Sequence, residues 1–94
     1  MATMRKTELR DTVALMNSAD YKERFKAEYI QTHIRYEKLR NMIVRYEAGT
    51  LDFEPSCPMN LLKQQACAME NYLFCLEARA QIEGIDNFDI KEDI

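Results

Sequence analysis

Arg24, Glu28, Gln31, Arg35, Lys38, Met42 and Arg45 recur at steps of four and three, so they share one strip of a helix that presents four cations, one acid and two neutral contacts. Arginine forks suit phosphate oxygens, and Tyr21, Tyr29, Tyr36 and Tyr46 run beside the strip with rings on which a base can stack. Such a strip can line a nucleotide pocket between helices, with Arg35, Tyr36, Lys38, Arg45 and Tyr46 as its candidate contacts. The competing reading makes the tyrosines seam residues and pairs the cations with glutamates at helical spacing. Further along, Lys63, Gln64, Gln65, Tyr72 and Arg79 are the polar or amphipathic groups nearest the second apolar seam, and Lys63, Tyr72 and Arg79 complete the candidate ligand-binding set. Arg79 sits among Leu76, Ala78, Ala80 and Ile82, where a charge needs a partner; Glu83 at i+4 and a ligand phosphate are the two choices.

Catalytic chemistry has much less to work with. The only histidine is His33, mid-helix, and no second one exists to activate Cys57 near a helix start. Cys67 and Cys75 are eight residues apart, about 12 Å along a helix axis, too far to share a metal unaided, and read as small buried fillers. Two glycines, Gly49 and Gly84, cannot build a glycine-rich phosphate loop. No catalytic residue, metal ligand or cofactor is therefore assigned, and the expectation is a binding protein rather than an enzyme.

The elements that must position these residues are helices. Phe25, Tyr29, Thr32, Tyr36, Leu39, Ile43 and Tyr46 form one stripe, and Leu62, Ala66, Met69, Leu73, Leu76, Ala80 and Glu83 form a second, both stepping by four and three. Asp20 and Glu23 fit a capping box at the start of the first helix, and Gly49 supplies a left-handed stop after Ala48. That span of roughly 28 residues makes a rod of about 40 Å. Ser56 or Cys57 is placed to cap the second helix with Pro58 in its first turn, and Gly84 closes it after Glu83. Leu51 and Phe53, between the helices, are expected to tuck against their end.

The expected fold is all-α: a long antiparallel helical hairpin (residues 18–84), a short N-terminal amphipathic helix or arm (1–16) with Leu9, Val13 and Met16 on one face, and an acidic C-terminal tail (85–94). Met16 also reads as a second possible start, which would leave residues 1–15 as an extension able to dock on a neighbour. Ile85, Phe88 and Ile90 alternate with acids in the tail and could form a clasp. Two helices bury little, and a chain of 94 residues covers only roughly 60 to 65% of its unfolded surface. Assembly into a homo-oligomeric helical bundle is the expected remedy.

Charge narrows the partners. The net charge is −3, yet residues 21–45 hold seven Lys or Arg against three Glu, and residues 83–94 hold five acids against Lys91. A basic helix with an acidic tail attracts a small anion while disfavouring long nucleic acid. Three cysteines, two of them in one helix, and the lack of an apolar run near the roughly 20 residues needed to span a bilayer predict a reduced cytoplasmic protein without a membrane partner.

Tyr46-Glu47-Ala48-Gly49-Thr50-Leu51-Asp52-Phe53, the nearby Cys57-Pro58, and Leu76-Glu77-Ala78-Arg79-Ala80-Gln81-Ile82-Glu83-Gly84 fall in the order seen in a family of small phage and prophage proteins, including relatives from crAss-like phages, which the chain resembles over about residues 18–86. The pattern of that family is in turn similar to the helical hairpin of phage anti-CBASS and anti-Thoeris sponges. The resemblance implies a non-enzymatic phage protein in the cytoplasm of an infected cell, often a hexamer, that sequesters a cyclic oligonucleotide or a cyclic ADP-ribose isomer. It carries over no individual binding residue. The rival expectations are a protein-binding inhibitor or adaptor working through the hairpin, a phage assembly factor, and a single-strand nucleic-acid binder, the last disfavoured by the acidic balance.

Overall fold

The structure, a computed structural model, describes residues 6–85. A 3-10 turn, Leu9–Thr12, leads into the short helix α1, Val13–Met16; α2 spans Tyr21–Ala48 and α3 spans Met59–Glu83. The described residues are helical with no strand.

The start of α2 follows from three polar side chains. Asp20 is extended (φ −83°, ψ 120°), and its Oδ1 accepts the Lys22 N–H at 2.9 Å. The expected reach of Glu23 back to the Asp20 N–H does not occur. Ser18 stands between them: its hydroxyl accepts from the Asp20 N–H at 3.0 Å and donates to Glu23 Oε1 at 2.5 Å. A hydroxyl can do both at once, so it relays the box that a direct contact would have closed. At the other end Gly49 takes φ +76°, its N–H donating to Tyr46 O, while Thr50 N–H returns to Arg45 O at 2.8 Å.

The start of α3 differs from the sequence expectation by one position. Pro58 is the cap itself (φ −59°, ψ 139°), and its carbonyl accepts from Leu61 and Leu62 N–H at 3.1 and 3.3 Å; neither Ser56 nor Cys57 caps the helix. The fixed proline φ suits the extended residue before a helix as well as the first helical one. Gly84 at φ +69° ends α3 and lets Ile85 N–H reach Ala80 O at 2.8 Å.

Contacts between the long helices run in opposite numerical order. The Tyr29 hydroxyl donates to Glu77 Oε2 at 2.7 Å, the Tyr36 hydroxyl donates to Glu70 Oε2 at 2.9 Å, and Glu47 pairs with Lys63. Each tyrosine buries ring surface and hands its hydroxyl to a carboxylate at the edge, which satisfies the polar tip without moving the ring out. The core is Phe25, Tyr29, Leu73, Leu76, Ala80 and Ile85, with Tyr36 packed against it. Burial follows both predicted stripes but fades toward the connecting loop: Leu39 and Ile43 are half-buried, and Tyr46 is exposed. Leu51 is half-buried as expected, whereas Phe53 is exposed, so the loop tucks in one of its two apolar residues.

The N-terminal segment packs on a second face of α2. Thr12 is buried; its Oγ1 donates to Leu9 O at 2.7 Å and accepts from Gln31 Nε2 at 2.8 Å. Ala27, Ile30 and Ile34 are buried on α2 outside the core shared with α3. The expected apolar face Leu9, Val13, Met16 is not the one used, because Val13 and Met16 are exposed and Leu15 takes a half-buried place. Its first turn is 3-10, with about three residues per turn, which rotates every later side chain away from its α-helical position. The cysteines also depart from expectation. Cys67 and Cys75 are exposed, since each lies one residue off the stripe Ala66, Leu76 that faces α2. Ile85 joins the core, while Phe88, Ile90 and the acidic run lie outside the described residues. No helix among the described residues is long and apolar enough to cross a membrane.

Candidate functional site

A cleft of about 420 Å³ opens where the N-terminal segment meets α2, lined by Lys6, Thr7, Glu8, Leu9 and Arg10 on one side and by Ile34 and Lys38 on the other. Its walls are set by local hydrogen bonding. The Glu8 N–H donates to Asp11 Oδ2 at 2.8 Å and fixes the entry to the turn, and the Thr12–Gln31 bond holds that turn on α2. Gln31, Ile34 and Lys38 then share one helix face, so the clamp and the far wall come from the same stretch of α2.

Among the described residues three cations and one carboxylate line this cleft, and the carboxylate is engaged: Arg10 Nε lies 2.6 Å from Glu8 Oε2. The formal balance of +2 suits an anion of about two charges, with Leu9 and Ile34 offering apolar surface to a ring. A second cleft, of about 410 Å³, lies at the loop and is lined by Tyr46, Glu54, Pro55, Ser56, Cys57, Pro58 and Met59. Among the described residues it is lined by an acid and a thiol and by no cation, which makes it the poorer anion site.

The residues singled out from the sequence do not gather at one place. Lys38 lines the first cleft, and Arg35 is exposed three residues before it. Tyr46 lines the second cleft, while its neighbour Arg45 pairs with Asp52 at 3.3 Å and Lys63 pairs with Glu47 at the same end of the molecule. Tyr36 is half-buried against the core. Its hydrogen bond to Glu70, together with desolvation and the negative charge there, pushes its phenol pKa up. Tyr72 is exposed on α3.

Arg79 took the nearer of its two possible partners. Its Nε donates to Glu83 Oε2 at 2.8 Å and its Nη2 to Oε1 at 3.4 Å, and the guanidinium stands 4.8 Å over the Phe25 ring. That hydrogen bond raises the Arg79 pKa and, from the other side, lowers that of Glu83, whose carboxylate a Tyr21 hydrogen bond also favours. Other cations of the strip serve the fold as well: Arg24 Nη1 donates to Ser18 O at 2.8 Å.

Lys6, Arg10 and the apolar Leu9 are cleft residues that the pattern of the long helices did not point to. The available signal was local, since Lys6 and Arg10 stand four apart at the start of an apolar segment that must dock on something. His33 stacks on Tyr29 with ring centroids 5.9 Å apart and 23° between planes. Among the described residues no group of three His, Cys, Asp or Glu side chains is placed to hold a metal ion.

Compared with known families, residues 19–82 match the family model described as Sequestin. The match spans more than half of the chain, and the chain belongs to the Sequestin family. Searches of curated proteins and of solved structures return no match.

Proposed function

We propose that this chain is a phage-encoded anti-defence protein that binds a small signalling nucleotide, a cyclic oligonucleotide or a cyclic ADP-ribose isomer, and holds it without turnover. The observation that carries the proposal is family membership over residues 19–82, because the family's name denotes sequestration. The cation-lined cleft supports it with chemistry: Lys6, Arg10 and Lys38 supply charge for two phosphates, and Leu9 and Ile34 supply apolar surface for a base. Sequestration needs affinity rather than a reaction, so a site of cations and apolar walls is sufficient. Nanomolar capture requires about −12 kcal/mol, within reach of several charge-assisted hydrogen bonds in a partly enclosed site.

In this proposal the working form is a cytoplasmic homo-oligomer of helical hairpins, a hexamer being one possible size. Of the strip residues, the proposal uses Lys38, which lines the cleft, and its exposed neighbour Arg35. Arg45, Lys63 and Arg79 already have carboxylate partners, as Arg10 has in Glu8, and each would have to exchange or share its partner to bind phosphate. The test is calorimetry and thermal shift of the full chain with cyclic dinucleotides, cyclic trinucleotides and cyclic ADP-ribose isomers. Binding at a hundredfold excess over Kd adds about 2.7 kcal/mol, a rise of roughly 10 °C or more in Tm for a domain this size. Recovery of the same nucleotide intact after denaturation identifies a sponge. Hydrolysed product, or no binding by any of the three classes, refutes the proposal.

A further inference from the structure

All five charged residues of α3 are engaged on its α2 side. Lys63 pairs with Glu47, Glu70 accepts from Tyr36, Glu77 accepts from Tyr29, and Arg79 binds Glu83 while covering the Phe25 ring. Helical geometry leaves an outward face running through Asn60, Gln64, Cys67, Asn71, Phe74 and Ile82, flanked by Ala68, Cys75 and Ala78, and this face carries no charge over 25 residues. In a chain that is 31% charged, a solvated face of that length would be expected to hold several. Phe74 is instead 70% exposed and Ile82 84% exposed, with Leu61 and Tyr72 open at its edge.

We infer that this outer face of α3 is where two copies of the chain pair, face against face about a two-fold axis. The choice of partner comes from charge. In a two-fold contact every residue near the axis meets its own copy, so any charge there meets its like, and a complete absence of charge is what self-pairing demands. Exposed surface on α2 offers no alternative match in a second copy, because it presents Glu28, Arg35, Lys38, Arg40 and Glu47. Among the described residues the other exposed apolar side chains, Val13, Met16, Tyr21, Val44, Tyr46 and Phe53, are scattered over the N-terminal segment, α2 and the loop, and the longest uncharged face that a copy brings is the same face of its own α3.

Shape and area agree. Midway along the helix Ala68, Cys75 and Ala78 have short side chains, which lets two helix backbones approach, while bulkier Leu61 and Ile82 stand toward its ends. Aromatic side chains bring roughly 150–250 Å² each. With Phe74 and Tyr72 exposed at 70% and 41%, and Ile82 and Leu61 beside them, the open apolar surface is on the order of 400–500 Å². The intervening amides raise the patch toward the roughly 800 Å² per partner of a stable interface. The inference does not depend on what the cleft binds, since the cleft and this face lie on different elements.

The test is the mass of the full chain in solution, without nucleotide, by sedimentation velocity. The wild type is expected to have an even number of chains, and Ala68→Glu and Ala78→Glu, both exposed, are each expected to halve that mass with helix content unchanged by circular dichroism. Asn41→Glu, exposed on α2, should leave the mass as it is. Phe74→Ser serves as a second variant that removes contact without adding charge, and it too should shift the equilibrium toward the half-mass species. A wild-type chain that stays monomeric well above micromolar concentration overturns the inference, and so does an unchanged mass in both glutamate variants. Nucleotide titrations run separately on wild type and Ala68→Glu report on the cleft, so its failure is read apart from that of the interface.

Discussion

The sign of each charge around the N-terminal cleft leads to the sharpest prediction. Lys38 reaches the cleft from α2, and Arg10 reaches it from the 3-10 turn while pairing with Glu8 at 2.6 Å. A phosphate about 4 Å from an ammonium gains about 4 kcal/mol at an effective dielectric of 20. Lys38 is exposed, so water and salt take most of that gain, and the net worth of a hydrogen bond to a charged group, about 1.5 kcal/mol at its lower end, is the better figure. Lys38→Gln is therefore expected to weaken nucleotide binding about tenfold.

Arg10→Gln should cost at least as much, because it removes a cation and also the ion pair that Glu8 makes with Arg10 beside the ligand. Glu8→Gln has the opposite sign: it removes the one acid that lines the cleft among the described residues and releases Arg10 from it toward the phosphate, so affinity should rise several-fold. Arg45→Gln, at the loop end, should stay within twofold of wild type. Isothermal titration at two salt concentrations reads all four, with the differences shrinking at the higher one. Loss of affinity in Glu8→Gln, or no change in Lys38→Gln and Arg10→Gln, would refute the placement of the site in this cleft.

The fold makes its own predictions. Leu76 is 1% exposed at the centre of the core, so Leu76→Ala should destabilise by about 2–5 kcal/mol and lower Tm by more than about 10 °C in thermal unfolding, if the variant folds at all. Gly49→Ala meets no atom within 4 Å but forces a side chain into φ +76°; about 1 kcal/mol of strain should lower Tm by roughly 4–8 °C while leaving nucleotide affinity intact. Glu83 has a lowered pKa from its Arg79 hydrogen bond, so the stability it adds is present above the unfolded glutamate value of about 4.3 and is lost as pH falls through its folded pKa. Glu83→Gln should flatten the acid limb of a Tm-against-pH curve. Tyr36 has a raised pKa, so its contribution is full below about pH 10 and disappears as pH rises through the folded value, and Tyr36→Phe should abolish that alkaline step.

Some of this architecture was legible in the sequence because single residues decide it. Glycines at 49 and 84 set the helix ends through their positive φ, and the stripe Leu73, Leu76, Ala80 is buried where its spacing put it. The failures share a physical cause, which is competition between a local rule and a neighbour the rule ignores. Asp20 and Glu23 satisfied the capping pattern, but Ser18 was near enough to take both bonds. Leu9, Val13 and Met16 satisfied helical spacing, but a 3-10 turn changed the period and buried Thr12 instead. The cysteines read as fillers because cysteine is often buried, while their place one step off the stripe put them outside.

Site residues suffered most from this competition. A strip of cations at helical spacing shows charge available, not charge unspent, and Arg24, Arg45, Lys63 and Arg79 each already have a partner within the chain. Lys38 differs because α2 presents it to a second segment rather than to α3, and the cations that join it there, Lys6 and Arg10, belong to residues that the helical pattern set apart as an arm. An anion site in so small a protein forms where one element supplies charge and another closes the wall, and the spacing within either element cannot show the meeting. The same logic applies to α3, whose five charges all serve contacts on its α2 side. What is left over on its outer face is defined by the absence of charge, a feature that becomes visible only after the partners of every charged residue on the helix are known.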